Sequence, residues 1–285
     1  MGSEPSQSEH LQRAARTYGA AADHFSSPAL GFWDRYGAAT VARLPLAPGG
    51  RVADLCCGAG ASAIPAARAV GPSGQVTGID VAGPLLALAR ERAAGLPQAE
   101  FRLGDATRTG LPGASFDAVI CVFGVFFVPD RGAFVAEMWR LVRPGGTLAI
   151  TTWGPDLWEP GSSVFWSAVR DAEPSLYRSW NPWDEITTPE ALKGLLTQAG
   201  VPAPAAEAVP GEYPLDSPDD FWDIVLGSGY RATADALSPA KQAQVRDRTV
   251  AGLRSRGTTA ITTNVVYGTA TKTLWRGQAG VSRSR

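Results

Sequence analysis

The sequence predicts an α/β fold in three layers, a mostly parallel sheet between two layers of helices, and three observations carry that expectation. Apolar residues Val52 to Leu55 run into a small-residue turn, Cys56-Cys57-Gly58-Ala59-Gly60-Ala61, and a helix from Ser62 to Val70 follows. Gln75 to Asp80 then reads as a second strand, ending in an acid about 20 residues past that turn. Strand and helix patterns go on alternating as far as Thr152, the rhythm of strand–helix–strand units.

The totals set the bounds. The chain has 285 residues, enough for one α/β domain with a sizeable insertion or for two small domains. Hydrophobic residues make up 45% and charged residues 19%, which is an ordinary globular composition. A net charge of −1 argues against bulk attraction to nucleic acid. Cys56, Cys57 and Cys121 match no zinc spacing and read as small buried thiols in a reducing compartment. There is no basic leader, and the longest apolar run, Cys121 to Val128, is far short of the roughly 20 residues that span a bilayer. The expectation is a soluble cytoplasmic protein with no metal centre.

In chain order, residues 1–9 are polar and expected to be loose. Leu11, Ala15, Tyr18, Ala22 and Phe25 step by four and three, so they share a helical face. Leu30, Trp33, Val41 and Leu44 form a second stripe, ended by Pro45 and Pro48. After the glycine turn, Pro65 is tolerable because it falls in the first turn of its helix. A helix carries Leu85, Leu86 and Ala89, and Glu100 to Leu103 is a third strand, followed by Gly104-Asp105-Ala106. Ala118 to Phe123 is the fourth strand, and Arg131 to Val142 a helix. Arg143-Pro144-Gly145-Gly146 is expected to turn into strand five, Thr147 to Thr152. Helices follow around Phe165-Trp166 and from Pro189 to Ala199. Ala206 to Leu215 reads as strand six, and Ser217 as the cap of a mostly helical stretch, Phe221 to Arg256. Thr259 to Lys272 reads as the last strand, and residues 273–285 as a flexible tail.

Strand, glycine turn and helix make a nucleotide cradle, and Asp80 stands where an acid accepts both hydroxyls of a ribose. Gly58-x-Gly60-x-x-Ala63 also fits a dinucleotide fingerprint, so an NAD-dependent oxidoreductase is one open reading. Asp54 favours another. A pyrophosphate gains nothing from a carboxylate at the strand end, whereas a ligand carrying an ammonium and a sulfonium does.

The run Asp54-x-Cys56-x-Gly58-x-Gly60 resembles motif I of the class I methyltransferases that use S-adenosylmethionine (SAM); the family usually has Gly where Cys56 stands. Glu137 to Gly146 and Phe123-Gly124 resemble the ubiquinone/menaquinone C-methyltransferases and their type-11 relatives. The resemblance spans about Tyr18 to Trp153. It implies a Rossmann-like, seven-stranded methyltransferase sheet, with residues 1–48 as a helical lid and 49–153 as the SAM-binding core. Residues 154–272 would complete the sheet beneath an aromatic-rich helical cap inserted before the last strand. It also implies cofactor contacts from Tyr18, Asp54, Cys56, Gly58, Gly60, Asp80, Val81, Asp105, Ala106, Val122 and Phe123. Phe126-Phe127 replaces the polar pair of the quinone enzymes, which speaks against a quinone acceptor.

Aromatic residues crowd the second half of the chain. Packing under a helical cap is one reading; a greasy pocket lined by Phe126, Trp153, Trp158, Trp183, Trp222 and Tyr230 is the other. The expected function is methyl transfer from SAM to a small apolar or aromatic metabolite in natural-product biosynthesis, on oxygen or carbon. His24 is the candidate general base. The alternatives are the oxidoreductase and a non-catalytic ligand-binding module on the same fold; the sequence leaves monomer and homodimer open.

Overall fold

A computed structural model describes residues 7–273; the expectations for residues 1–6 and 274–285 lie outside the described residues, and residues 7–9, expected to be loose, already belong to the first helix. The chain begins with two helices, α1 (Gln7–Ala21) and α2 (Phe32–Val41). Alternation follows through β1 (Arg51–Leu55), α3 (Ala63–Val70), β2 (Gln75–Asp80), α4 (Gly83–Arg92), β3 (Ala99–Leu103), β4 (Phe116–Val122), α5 (Arg131–Leu141) and β5 (Val142–Trp153). Next come α6 (Gly161–Ala172), α7 (Pro189–Gln198), β6 (Ala205–Val209), β7 (Glu212–Pro214), α8 (Asp220–Leu226), α9 (Arg231–Ala236) and α10 (Pro239–Ser255). The last strands are β8 (Ala260–Thr262) and β9 (Val265–Thr271).

Seven strands form one sheet in the order β3-β2-β1-β4-β5-β9-β6. The first five are parallel, and β9 runs antiparallel between β5 and β6. Both faces are covered, so the central strands are apolar on both sides. Ala53 and Leu55 of β1 join one core with Val119 and Cys121 of β4, while Val52 joins the other with Ala118 and Ile120. The side-chain period of two sends alternate residues to opposite faces.

Helix starts follow local chemistry. The side chains of Asp130, Thr188 and Ser238 accept backbone N–H bonds at the heads of α5, α7 and α10. The expected cap of α8 is shifted: Asp219 occupies the cap position, and Ser217 Oγ accepts from its N–H at 3.2 Å.

Three expectations about strands are corrected. The segment from Val142 to Gly146 is already part of β5, because Val142 pairs with Phe116 across a bulge. The expected strand six is two strands, and so is the expected last strand; β7 and β8 pair with each other in a separate hairpin-like sheet. The break between β8 and β9 is held by Asn264. Its Oδ1 accepts from Gly211 N–H, and its Nδ2 donates to the Pro155 carbonyl, both at 3.0 Å. Its backbone carbonyl accepts from Gly154 N–H at 2.7 Å, which continues the β5–β9 pairing, and the chain changes sheets on the other side of Asn264.

Candidate active site

The strand order reverses between β1 and β4, and a crevice opens there at the carboxyl ends of the strands. The cleft encloses about 970 Å³, open mouth included. Its floor is the turn after β1, its sides the tips of β2, β3 and β4, and its roof α1 and α2. Tyr18, Cys56, Gly58, Asp80, Val81, Asp105, Ala106, Val122 and Phe123 all line it.

The turn adopts unusual backbone angles. Cys56 has φ of 60°, and Gly58 has φ of 51°. The left-handed region is the natural home of glycine, and Cys56 holds it as a strained non-glycine residue. Phe123, at the tip of β4, has φ of 55°. The two strained tips meet at Gly124, where a Cβ would fall 2.4 Å from Cys56 Cβ and 2.9 Å from Cys121 Sγ. Only a residue without a side chain lets these strand ends close.

Asp80 organises the rim. Its Oδ2 accepts from Gly58 N–H and its Oδ1 from Ala82 N–H, both at 2.8 Å. Burial still pushes its carboxyl above the usual range. Each oxygen keeps a second lone pair, so the group can accept two more donors from the cleft. Asp105 Oδ1 accepts from Thr107 N–H at 2.8 Å and from its hydroxyl at 2.7 Å, which holds the loop after β3 in place. Burial raises the Tyr18 phenol well above its ordinary value, and the neighbouring Asp80 carboxylate adds to this. Its ring meets Phe127 edge-on at 5.2 Å.

Two residues expected at the cofactor are not on the cleft wall. Asp54 is wholly buried beneath the turn. Its Oδ2 accepts from Ser62 Oγ at 2.7 Å at the head of α3, while Oδ1 has no partner. Burial, with Asp80 nearby, pushes its carboxyl up to about 7. Gly60, at φ of 83°, faces Ile64 and Ala89, so it serves the turn. Of the three strand-end acids, the structure therefore brings Asp80 and Asp105 to the cleft and leaves Asp54 one layer below.

A second cavity, of about 1620 Å³ with its mouth, adjoins the first. Ala14, Tyr18, Phe127 and Val128 line both. Phe126, Trp183 and Tyr230 line the second cavity, as the aromatic pattern suggests. Trp153, Trp158 and Trp222, expected on a substrate pocket, line neither cavity. Trp153 stacks on the back of Phe123 at 3.7 Å and is roofed by Phe32, Trp33 and Tyr36 of α2. Trp158 packs behind Tyr230, and Trp222 against Phe165. They brace the wall that others present.

His24, the candidate base, also lies outside both cavities. It is hydrogen-bonded through Nδ1 to Asp23 at 2.5 Å on the surface. Trp166 and Tyr177, part of the aromatic crowd, also line the second cavity, as do Arg13 and Arg178, which were not expected there. A signal was available for α1: His10, Arg13, Ala14, Thr17 and Tyr18 recur at helical spacing, one face beside the apolar stripe. The Tyr177–Trp183 loop has no periodicity to betray it.

A mostly parallel sheet with this order and a cleft at its reversal point defines the doubly wound α/β class. Residues 52–146 match the family described as "Methyltransferase domain". The region from β1 into β5 is thus similar to a methyltransferase domain. It is 34% identical over 206 residues to a nocamycin O-methyltransferase of Saccharothrix syringae, covering 70% of this chain and 61% of that one. It is 38% identical over 109 residues to a demethylmenaquinone methyltransferase of Bacillus cytotoxicus, covering 38% and 46%. The chain thus spans about three-fifths or less of the length of these relatives. Among solved structures, the fold is similar to phosphoethanolamine N-methyltransferase 2 of Haemonchus contortus in complex with SAM. The TM-score is 0.57 at 18% identity, covering 93% of this chain and 60% of that one. It is also similar to the (4+2)-cyclase SpnF, with a TM-score of 0.56 at 20% identity, covering 95% and 98%.

SAM fits the residues present. The Asp80 carboxylate is held with free lone pairs at the rim, and above Gly58 a Cβ would meet only Leu85, at 3.8 Å, so the turn leaves room for a ligand. Val81, Leu85 and Ala106 offer the apolar surface an adenine needs.

Proposed function

We propose that this protein transfers a methyl group from SAM to a small apolar or aromatic metabolite, on oxygen or carbon, in specialised biosynthesis. The observation that carries the reading is the junction of the two cavities at Ala14, Tyr18, Phe127 and Val128. A cofactor cleft that shares a wall with a separate aromatic chamber suits a two-substrate transfer. The resemblance to an O-methyltransferase of nocamycin over 206 residues supports the choice of oxygen and of a natural-product role.

SAM supplies an electrophilic methyl on a sulfonium. Asp80 would hold the ribose, Asp105 with the Ala106 N–H the adenine, and Tyr18 would close over the site. Phe127 and Val128 would exclude water where the cavities meet, and Val122 and Phe123 on the cofactor side. Excluding water favours a reaction in which opposite charges cancel, and alignment supplies much of the remaining rate. The residues lining the junction include no histidine, and an acceptor that is already ionised needs no base. Helices α1 and α2 would act as the lid, and α8 to α10 as part of the cap.

The test has two steps. Calorimetry with SAM reads the first cleft. Incubation with methyl-labelled SAM and a panel of phenols, enols and carboxylic acids then reads transfer. Label in an extractable product supports the reading; tight SAM binding without transfer to any member of the panel turns it toward a non-catalytic module.

A further inference from the structure

The second cavity carries a feature that an apolar acceptor alone does not explain. Its lining includes Arg13 of α1 and Arg178 and Arg131 near the mouth and, among the described residues, no Asp or Glu. Arg131 is already engaged: it pairs with Glu185 and donates to the Pro182 carbonyl. Arg13 and Arg178 form no ion pair or hydrogen bond among the described residues. They lie close enough that the charge of Arg13, after burial, helps lower the affinity of Arg178 for its proton. Asp156, Glu159 and Asp184 line an adjoining groove that Arg178 also lines, and none of them forms an ion pair with it among the described residues. Two like charges brought together with no paired counter-charge among the described residues raise the energy of the free protein, and an incoming anion relieves that cost.

We infer that the acceptor is acidic: the mouth of the second cavity takes a carboxylate, or a comparable delocalised monoanion, between Arg13 and Arg178, with the apolar body of the molecule among Phe126, Trp183 and Tyr230. This inference rests on the methyltransferase reading and deepens it. Guanidinium groups suit such an anion because their N–H donors lie in a plane that matches two acceptor oxygens. Because the two arginines sit at an exposed mouth, the attraction is screened by salt. The anion is a handle here, and the argument holds whichever atom receives the methyl group.

The probes are 2-naphthoate and its neutral near-isostere 2-naphthamide, titrated against the full-length protein by quenching of tryptophan fluorescence. The expected result is an affinity for the naphthoate at least tenfold above that for the amide at 50 mM salt, a gap that narrows at 500 mM. The double variant Arg13→Gln, Arg178→Gln should lose that preference while binding the amide as before. Equal affinity of the two probes for the native protein, no binding of either, or an unaltered preference in the double variant overturns the inference. Calorimetry with S-adenosylhomocysteine on the same preparations keeps the two readings apart. Loss of cofactor binding would strike the methyltransferase reading, whereas intact cofactor binding without acid preference strikes only this one.

Discussion

Asp54 and Asp80 both stand at strand ends, yet they answer to different forces. Asp54 is sealed from solvent with one oxygen unpartnered, so it favours its protonated form; its carboxyl titrates at about 7 against an ordinary 3.8. The folded chain therefore holds a proton that the unfolded chain releases. Stability from this group is full below about pH 4 and is lost as pH rises through about 7. The ligand-free protein should lose about 2–3 kcal/mol between pH 5 and pH 8 through it. Asp54→Asn should flatten that slope, read by urea melts at the two pH values. Asp80 instead holds four lone pairs, two of them spent on backbone N–H groups. An amide in its place can accept one of those bonds and clashes with the other donor. Asp80→Asn should weaken SAM binding by about 1–3 kcal/mol in calorimetry, and unchanged affinity would remove Asp80 from the ribose role. Both acids were legible in the sequence as strand-end carboxylates. Which one faces the cleft was not, because residue spacing does not say which side of the turn a side chain takes.

At the scale of elements, α2 presses directly on the turn that floors the cleft. A Cβ at Gly37 would lie 2.3 Å from the Ala61 carbonyl oxygen and 2.4 Å from its carbon. Backbone cannot yield as a side chain can. Gly37→Ala should cost about 1–3 kcal/mol and lower Tm by several degrees. Gly194, half-buried in α7, has nothing within 4 Å of its would-be Cβ, and Gly194→Ala should be neutral or slightly stabilising in the same thermal melts. The helices and the first five strands could be read from periodicity, since each buries a face along its own length. The division of the last strands could not. Asn264 looks like any other polar residue in a Thr- and Val-rich run, and it breaks the run only because Gly211 and Pro155, distant in sequence, offer it partners.

For the molecule as a whole, fold and function are separate questions: the same architecture is similar to both an N-methyltransferase and a cyclase. The decisive property is which nucleotide the folded state binds. SAM at about a hundred times its Kd should stabilise the protein by about 2.7 kcal/mol, a Tm rise of roughly 5–10 °C, and NADH should leave Tm unchanged. A shift with NADH alone would return the chain to the oxidoreductase reading. The local sequence was enough to determine the alternation of strands and helices, the glycine turn and the acids that follow β2 and β3, because each is written in neighbouring residues. Tertiary structure alone decided that Trp153, Trp158 and Trp222 brace the walls while Phe126, Trp183 and Tyr230 line the chamber. It alone brought Arg13 and Arg178, from opposite ends of the chain's first two-thirds, to one mouth. The reason is physical: a side chain's chemistry is local, but whether it meets solvent, a ligand or another ring depends on segments that only packing brings together.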